Sequence, residues 1–216
     1  MIRNKYESQI LLNEMEIRFL QHQMNPHFLF NVLLTIQIKA KRSGNETIYK
    51  MVSKLSALLR ASIYTNNVDR ITVGEELEYT EFYLYLQKMR FEGRFFYKII
   101  VEDEELKKSI IPKFVIEPIV ENAVIHGLAD ADEGHIFVRA YLERKELVIE
   151  ISDDGCGISD EVIRRLGNRD KEQKNGHIGF YNVDTIIRLH YGKDYGLRAE
   201  RLAAGGTKVT IRIPVN

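Results

Sequence analysis

Between Asn4 and about Ala40 the chain has one proline and no glycine, and Ile10, Ile17, Leu20, Met24 and His27 recur at spacings of seven, three, four and three. This heptad-like seam predicts a long helix whose apolar stripe needs a partner helix. Residues 41–46, KRSGNE, supply a turn, after which Ile48, Met51, Val52, Leu55, Leu58, Leu59 and Ser62 keep helical period to about Tyr64. Two helices bury only a thin core. Two such hairpins make a four-helix bundle, so residues 1–65 are expected to form a homodimer. Pro26 removes a backbone hydrogen bond inside the first helix and is expected to bend it just before His27.

Helical period is lost in TNNVDRITVGEE, which sets a domain boundary between residues 1–68 and 69–216. Thr72 and Glu75 have the spacing of a capping box, predicting a helix through about Phe91 that ends at Gly93. FFYKIIV, residues 95–101, reads as a strand and DEELKK as a turn. IPKFVIEPIVENAVIHGLA, residues 111–129, reads as one helix with Pro112 in its first turn and Gly127 near its end. Two hairpins follow, HIFVRAYLE with ELVIEIS around Arg144 and Lys145, and LRAERLA with TKVTIRIP around Ala204, Gly205 and Gly206. Short helices are expected near residues 160–167 and from about Phe180 to Tyr191. The fold class is therefore α+β, a helical hairpin followed by an α/β sandwich.

Composition narrows this picture modestly. The 31 basic and 31 acidic side chains cancel without long runs, which gives no electrostatic footprint for nucleic acid or a polybasic membrane surface. The single cysteine, Cys156, excludes an intramolecular disulfide and a cysteine metal cluster, which suits a reducing compartment. No apolar run approaches the length of roughly 18 residues that a membrane span needs. The chain opens directly in charged, helix-forming sequence, and a missing N-terminal region is expected. Eleven of the 14 glycines fall after residue 126, so the second half is where backbone approaches something closely.

Candidate chemistry lies in a few segments. His27 sits between Pro26 and an apolar run in QMNPHFLFNVLL; a neutral imidazole is a competent phosphoryl acceptor, though a lone histidine on an amphipathic helix is more often a packed side chain. In ENAVIHG, Asn122 and His126 share a helix face with Glu121 one step around. An amide oxygen suits magnesium, a carboxylate can accept a proton, and His126 can approach phosphate oxygen, while a polar helix face is the plain alternative. In SDDGCGI, Asp153 can accept a hydrogen bond from an exocyclic amine, and Gly155 and Gly157 let backbone pass a flat base, although a tight turn explains the glycines equally well. Gly176 and Gly179 precede a helix whose N-terminal amides favour phosphate. Thr207, after Gly205 and Gly206, can add a hydroxyl.

The order ENAVIHG, DDGCG, the glycine pair before FYN, and GGT resembles the Bergerat ATP-binding fold of histidine kinases, type II topoisomerases and mismatch-repair ATPases. NPHFLFN resembles the phosphoacceptor box of sensor histidine kinases of the LytS and YesM type, and the likeness covers roughly residues 15 to 214. The resemblance implies His27 as phosphoacceptor, Asn122 as magnesium ligand and Asp153 as adenine contact. It places Glu121 and His126 beside the phosphates, Gly155, Gly157, Gly176 and Gly179 around the base and its lid, and Thr207 near the phosphates. ATP and Mg2+ are the implied cofactors. The implied partners are a second copy of the chain and a response-regulator receiver domain, and the parent is implied to be a membrane-anchored sensor with this portion in the cytoplasm. Four positions depart from the pattern: Leu34 replaces a second asparagine, Phe28 an acid, His177 a lid glycine and Glu117 a glutamine. With Phe28 next to His27, Glu121 becomes the candidate general base, and Asn31, one turn after His27, a candidate for orienting water in the reverse step. His22 lacks the proline-adjacent context and is the competing phosphoacceptor. A Bergerat-fold ATPase clamping a dimer and a non-enzymatic nucleotide-sensing scaffold are the rival readings, and both leave NPHFLFN unexplained.

Overall fold

The computed structural model describes residues 26–64, 70–91, 94–128, 133–168 and 178–215. The chain divides into two compact units after Asn66. In the first, α1 (Pro26–Arg42) and α2 (Glu46–Tyr64) form a hairpin. The turn uses a left-handed Gly44, φ 70°, and Asn45 Oδ1 accepts the Ile48 amide at 3.0 Å, capping α2. Leu33 and Ala40 are buried, and Gln37 Nε2 donates to Ser53 Oγ across the hairpin at 3.1 Å. Val32 with Ile36, and Leu34 with Ile38, stay exposed as two apolar strips on α1 that one hairpin leaves uncovered. The expected seam over residues 4–25, and the bend ahead of His27, lie outside the described residues.

The second unit runs β1 (Arg70–Thr72), α3 (Val73–Arg90), β2 (Phe95–Val101), a 3₁₀ turn (Glu104–Lys108), β3 (Ile110–Pro112), α4 (Glu117–Asn122), β4 (Gly134–Glu143), β5 (Glu146–Asp153), α5 (Asp160–Asn168), α6 (Ile178–Tyr191), β6 (Gly196–Arg201) and β7 (Thr207–Pro214). The main sheet has the order β2-β4-β5-β7-β6, parallel between β2 and β4 and antiparallel elsewhere. Its strands alternate as a one-sided sheet must: Ile136, Val138 and Ala140 of β4, Leu147, Ile149 and Ile151 of β5, and Val209, Ile211 and Ile213 of β7 enter the core. Val73, Leu77 and Leu84 of α3, Ile119 and Val120 of α4, and Val183 and Ile187 of α6 join the same core. Among the described residues no helix is long and apolar enough to cross a membrane.

The capping box is present as the sequence implies, with Thr72 Oγ1 accepting the Glu75 amide at 3.1 Å and Glu75 Oε2 accepting the Thr72 amide at 2.8 Å. Both hairpins also form, with Glu143 opposite Glu146 and Arg201 opposite Thr207.

The single helix expected over residues 111–129 does not form. Ile110–Pro112 is instead a strand paired antiparallel with β1, a small sheet that short-range periodicity could not reveal. Pro112 ends this strand, and the proline in a helical first turn is Pro118. Between them Phe114 takes a left-handed backbone, φ 59°, which stops any helix from crossing. The N-cap of α4, Ile116, has no side chain that can cap it. Glu76 of α3 does this from 40 residues upstream: its carboxylate accepts the Ile116 amide at 3.0 Å and the Phe114 amide at 3.1 Å while only 1% exposed. After Asn122 the helix widens into a π-turn, Ala123–Gly127, closed by the Leu128 amide on the Ala123 carbonyl at 3.0 Å.

The β4–β5 turn supplies a stability test. Arg144 and Lys145 have φ 50° and 67°, the type I′ geometry that asparagine and glycine adopt with least strain. Replacing them together, Arg144→Asn with Lys145→Gly, is expected to stabilise the unit by about 1 kcal/mol, which raises a thermal midpoint by roughly 2–4 °C. Calorimetric unfolding of both proteins checks it.

Candidate active site

The sequence motifs of the second unit converge where the end of α4 meets the ends of β5 and β7. An open cleft is lined by Asn122, His126 and Gly127 on one side and Asp153, Gly157 and Thr207 on the other. Ile119, Ile151, Ile158, Phe180 and Val209 form its apolar wall, a surface suited to a flat aromatic ring.

Asp153 is the last residue of β5, in register with Thr207 of β7, so the sheet itself sets their separation. The carboxylate is 6% exposed and accepts the Gly155 amide at 3.0 Å. Burial pushes its pKa above the usual aspartate range, against the opposing bonds from the Gly155 amide and from the amide and hydroxyl of Thr207. The next residue is clamped on the opposite side: Asp154 accepts the His135 amide at 2.6 Å and lies 2.8 Å from His135 Nδ1. Partial burial favours the neutral Asp154, yet these bonds outweigh it and hold that carboxyl below its ordinary range.

Two of the glycines at the cleft are dictated by close approach. A Cβ on Gly155 would lie 1.8 Å from the Gly127 carbonyl oxygen, and one on Gly206 would lie 1.9 Å from the Asp153 carbonyl oxygen. The Gly127 carbonyl also accepts the Cys156 amide at 3.0 Å, so a backbone hydrogen bond joins the π-turn to the DDGCG loop. The π-turn therefore has a visible use, since it delivers His126 and the Gly127 carbonyl to that loop.

Asn122 is half-buried, and its Nδ2 donates to the Pro118 carbonyl at 2.6 Å, which leaves Oδ1 as the acceptor available to the cleft. That atom fits a hard divalent cation whose shell is completed by water and phosphate oxygen. Among the described residues no cluster of His, Cys, Asp and Glu could hold a metal ion by itself.

The other expected residues are placed less closely. Gly179, in the first turn of α6, packs on Asn122, where a Cβ would meet Nδ2 at 3.0 Å. Glu121 is exposed and absent from the lining of the cleft; burial, helped by the charges of Glu121 and Glu117, pushes the Tyr83 hydroxyl up to about 12. Asn31 is exposed on α1, and its carbonyl accepts the Thr35 hydroxyl at 2.8 Å. His27 lies in the first turn of α1, but its side chain is outside the described part of the molecule, and Gly176, His177 and His22 are outside the described residues altogether. Sequence reasoning missed Glu76, although it carried a signal: it stands at a buried position of the stripe Val73, Glu76, Leu77, Thr80 and Leu84.

Comparison with known proteins supplies the family and the fold. Residues 15–95 match the family model described as histidine kinase, and residues 108–216 match the histidine kinase-, DNA gyrase B- and HSP90-like ATPase. The chain is similar to sensor histidine kinase YesM of Bacillus subtilis (strain 168), 33% identical over 99% of this chain and 36% of that protein. It is similar to sensor histidine kinase BtsS of Escherichia coli (strain K12), 32% identical with the same shares. Sensor protein LytS of Bacillus anthracis is 33% identical over 94% of this chain and 35% of its own length. The chain thus spans about a third of the length of these relatives. Among solved structures, histidine kinase ThkA in complex with response regulator protein TrrA superposes with a TM-score of 0.53 at 15% identity, covering 99% of this chain and 65% of that one. The catalytic domain of ThkA in a nucleotide-free form gives 0.51 at 11% identity, covering 68% and 96%. At these identities the structures speak for the fold alone, a helical segment followed by the mixed sheet. The two family models between them take in most of the sequence, and on them the chain belongs to the histidine kinases.

Proposed function

We propose that this chain is the phosphoacceptor and catalytic portion of a sensor histidine kinase, binding Mg-ATP in the cleft of its second unit and transferring the γ-phosphoryl group to His27. The observation that carries the reading is the cleft itself, where Asn122 and His126 face Asp153 and Thr207 across an apolar wall. In this reading Asp153 accepts the exocyclic amine of adenine, and the wall formed by Ile119, Ile151 and Phe180 takes the ring. Asn122 Oδ1 would hold a magnesium ion, which supplies charge neutralisation at the phosphates. His126 and Thr207 bind phosphate oxygens, and Gly176 and Gly179 frame the lid.

A ring nitrogen of His27 attacks the γ-phosphorus; the N–P bond forms as the bond to the ADP oxygen breaks, and Glu121 takes the imidazole proton. Positioning and charge neutralisation are the main catalytic terms for this chemistry. The phosphoryl group then passes to an aspartate of a response-regulator receiver domain, and Asn31 orients water for the phosphatase direction. The exposed Val32, Leu34, Ile36 and Ile38 support a homodimer through the helical hairpin. In a parent anchored in the membrane by a preceding sensor region, this portion lies in the cytoplasm.

The direct test is incubation with magnesium and γ-labelled ATP. Wild type is expected to gain acid-labile, base-stable label, whereas His27→Gln and Asn122→Ala stay unlabelled. Label that persists in His27→Gln refutes the assignment and points to His22. The adenine contact has its own test. Asp153→Asn sets an amide against the exocyclic amine and is expected to weaken ATP binding by roughly 10–100-fold, the loss of a charged hydrogen bond of about 1.5–3 kcal/mol. The ionised carboxylate accepts from the amine more strongly than the neutral acid, and the Asp153 pKa is raised, so wild-type affinity should fall on acidification from a higher pH than an ordinary aspartate near 3.9 would give. Calorimetric titration across pH, with Asp153→Asn as the insensitive control, checks both.

A further inference from the structure

Glu76 lies on α3, outside the lining of the cleft, and nothing in the proposed phosphoryl transfer uses it. Its setting is nonetheless unusual. The carboxylate is buried at 1% exposure, and the amides of Phe114, Val115, Ile116 and Glu117 all act on it, with bonds of 3.1 Å to Phe114 and 3.0 Å to Ile116. These amides converge because Phe114 is left-handed, φ 59°, a conformation its own side chain does not favour. Phe114 is itself exposed, so packing of its ring does not hold the turn. The buried carboxylate is what does.

The α-helix that follows is six residues long and has no side-chain cap of its own. Asn122 is its last residue, and its amide is fixed within the same helix by the Pro118 carbonyl at 2.6 Å. Asn122 therefore moves with α4 as one piece. Asp153 and Thr207, in contrast, are set by the β5–β7 register, and the end of the helical segment reaches them only through the Gly127 contact with the DDGCG loop.

We propose that Glu76 is a positioning residue for Asn122: by holding the start of α4 from the neighbouring helix, it aims the Asn122 oxygen at the cation that accompanies the nucleotide phosphates. The inference rests on the reading of the cleft as an Mg-ATP site. Glu76→Gln is the discriminating variant, because glutamine keeps size and one acceptor but turns an N–H donor toward amides that are themselves donors. The start of α4 must then shift, and Asn122 with it, while the sheet-borne half of the cleft stays in place.

The measurement is the affinity of the whole chain for a non-hydrolysable ATP analogue, by calorimetry, with magnesium and with EDTA. The ratio of the two reports the cation half of the site, and the EDTA value reports the half around Asp153. Wild type is expected to bind more tightly with magnesium, and Glu76→Gln to lose at least 10-fold of that gain with its EDTA affinity unchanged within about twofold. A purely structural Glu76 would leave the ratio alone or lower both affinities together, and either result overturns the proposal. Should Glu76→Gln fail to fold by thermal unfolding, Glu76→Asp, which keeps both oxygens but draws them back by one methylene, is read in the same way. A wild type whose affinity ignores magnesium, or that binds no nucleotide, counts instead against the Mg-ATP reading.

Discussion

The carboxylate of Glu76, sealed from solvent between α3 and the turn ahead of α4, fixes the start of a helix too short to hold itself. A buried carboxylate is costly unless its oxygens are met by donors. Here burial drives its pKa upward, and the converging amides of residues 114–117 work against that rise. The cost is offset by what those amides gain, since the first turn of a helix leaves its amides unpaired. A helix as short as α4 is not stable in isolation, where roughly 12–15 residues are marginal. It persists because its first turn is tied to α3, and because the π-turn beyond Asn122 is tied through the Gly127 carbonyl to the DDGCG loop.

These two ties leave little tolerance between backbones. The loop can reach the Gly127 carbonyl only without a side chain at 155, and the β6–β7 turn can pass Asp153 only without one at 206. Asp153 is buried at this meeting point, with Thr207 brought beside it by the β5–β7 register. Glycine spacing that reads as a generic turn signal is thus a steric requirement imposed by three segments meeting at one point. The outer clamp of Asp154 on His135 secures the same loop to β4, so Asp153 is braced on both sides of its chain.

Much of this was legible from local pattern. The hairpin turn at Gly44, the capping box at Thr72 and the β4–β5 turn at Arg144 and Lys145 follow from periodicity and turn chemistry, and the meeting of Asn122, His126, Asp153, Gly157 and Thr207 at one cleft is what the family resemblance implied. The failures are long-range. Residues 111–129 have helical composition throughout, but β3 exists only because β1 pairs with it, and α4 starts late only because Glu76 captures the turn at Phe114. No local window contains both partners of either interaction. Glu121 shows a subtler limit: its adjacency to Asn122 suggested a place beside the phosphates, whereas the structure leaves it exposed and outside the cleft lining.

The two halves of the cleft are built to different standards of rigidity. Asp153 and Thr207 sit opposite each other on the central strands, where the ladder and the core residues Ile149, Ile151, Val209 and Ile211 fix them together. Asn122 and His126 ride on a short helix that passes into a π-turn, held by side-chain and single backbone bonds. A site for a nucleotide gains from this division. The base needs a fixed slot, because one aspartate must meet one amine, whereas phosphates carrying a cation must be released in a changed state after each transfer. In the proposed reading the base contact Asp153 and the phosphate contact Thr207 stand on the sheet and the cation contact Asn122 on the tethered helix, which allows the last to adjust without loosening the first.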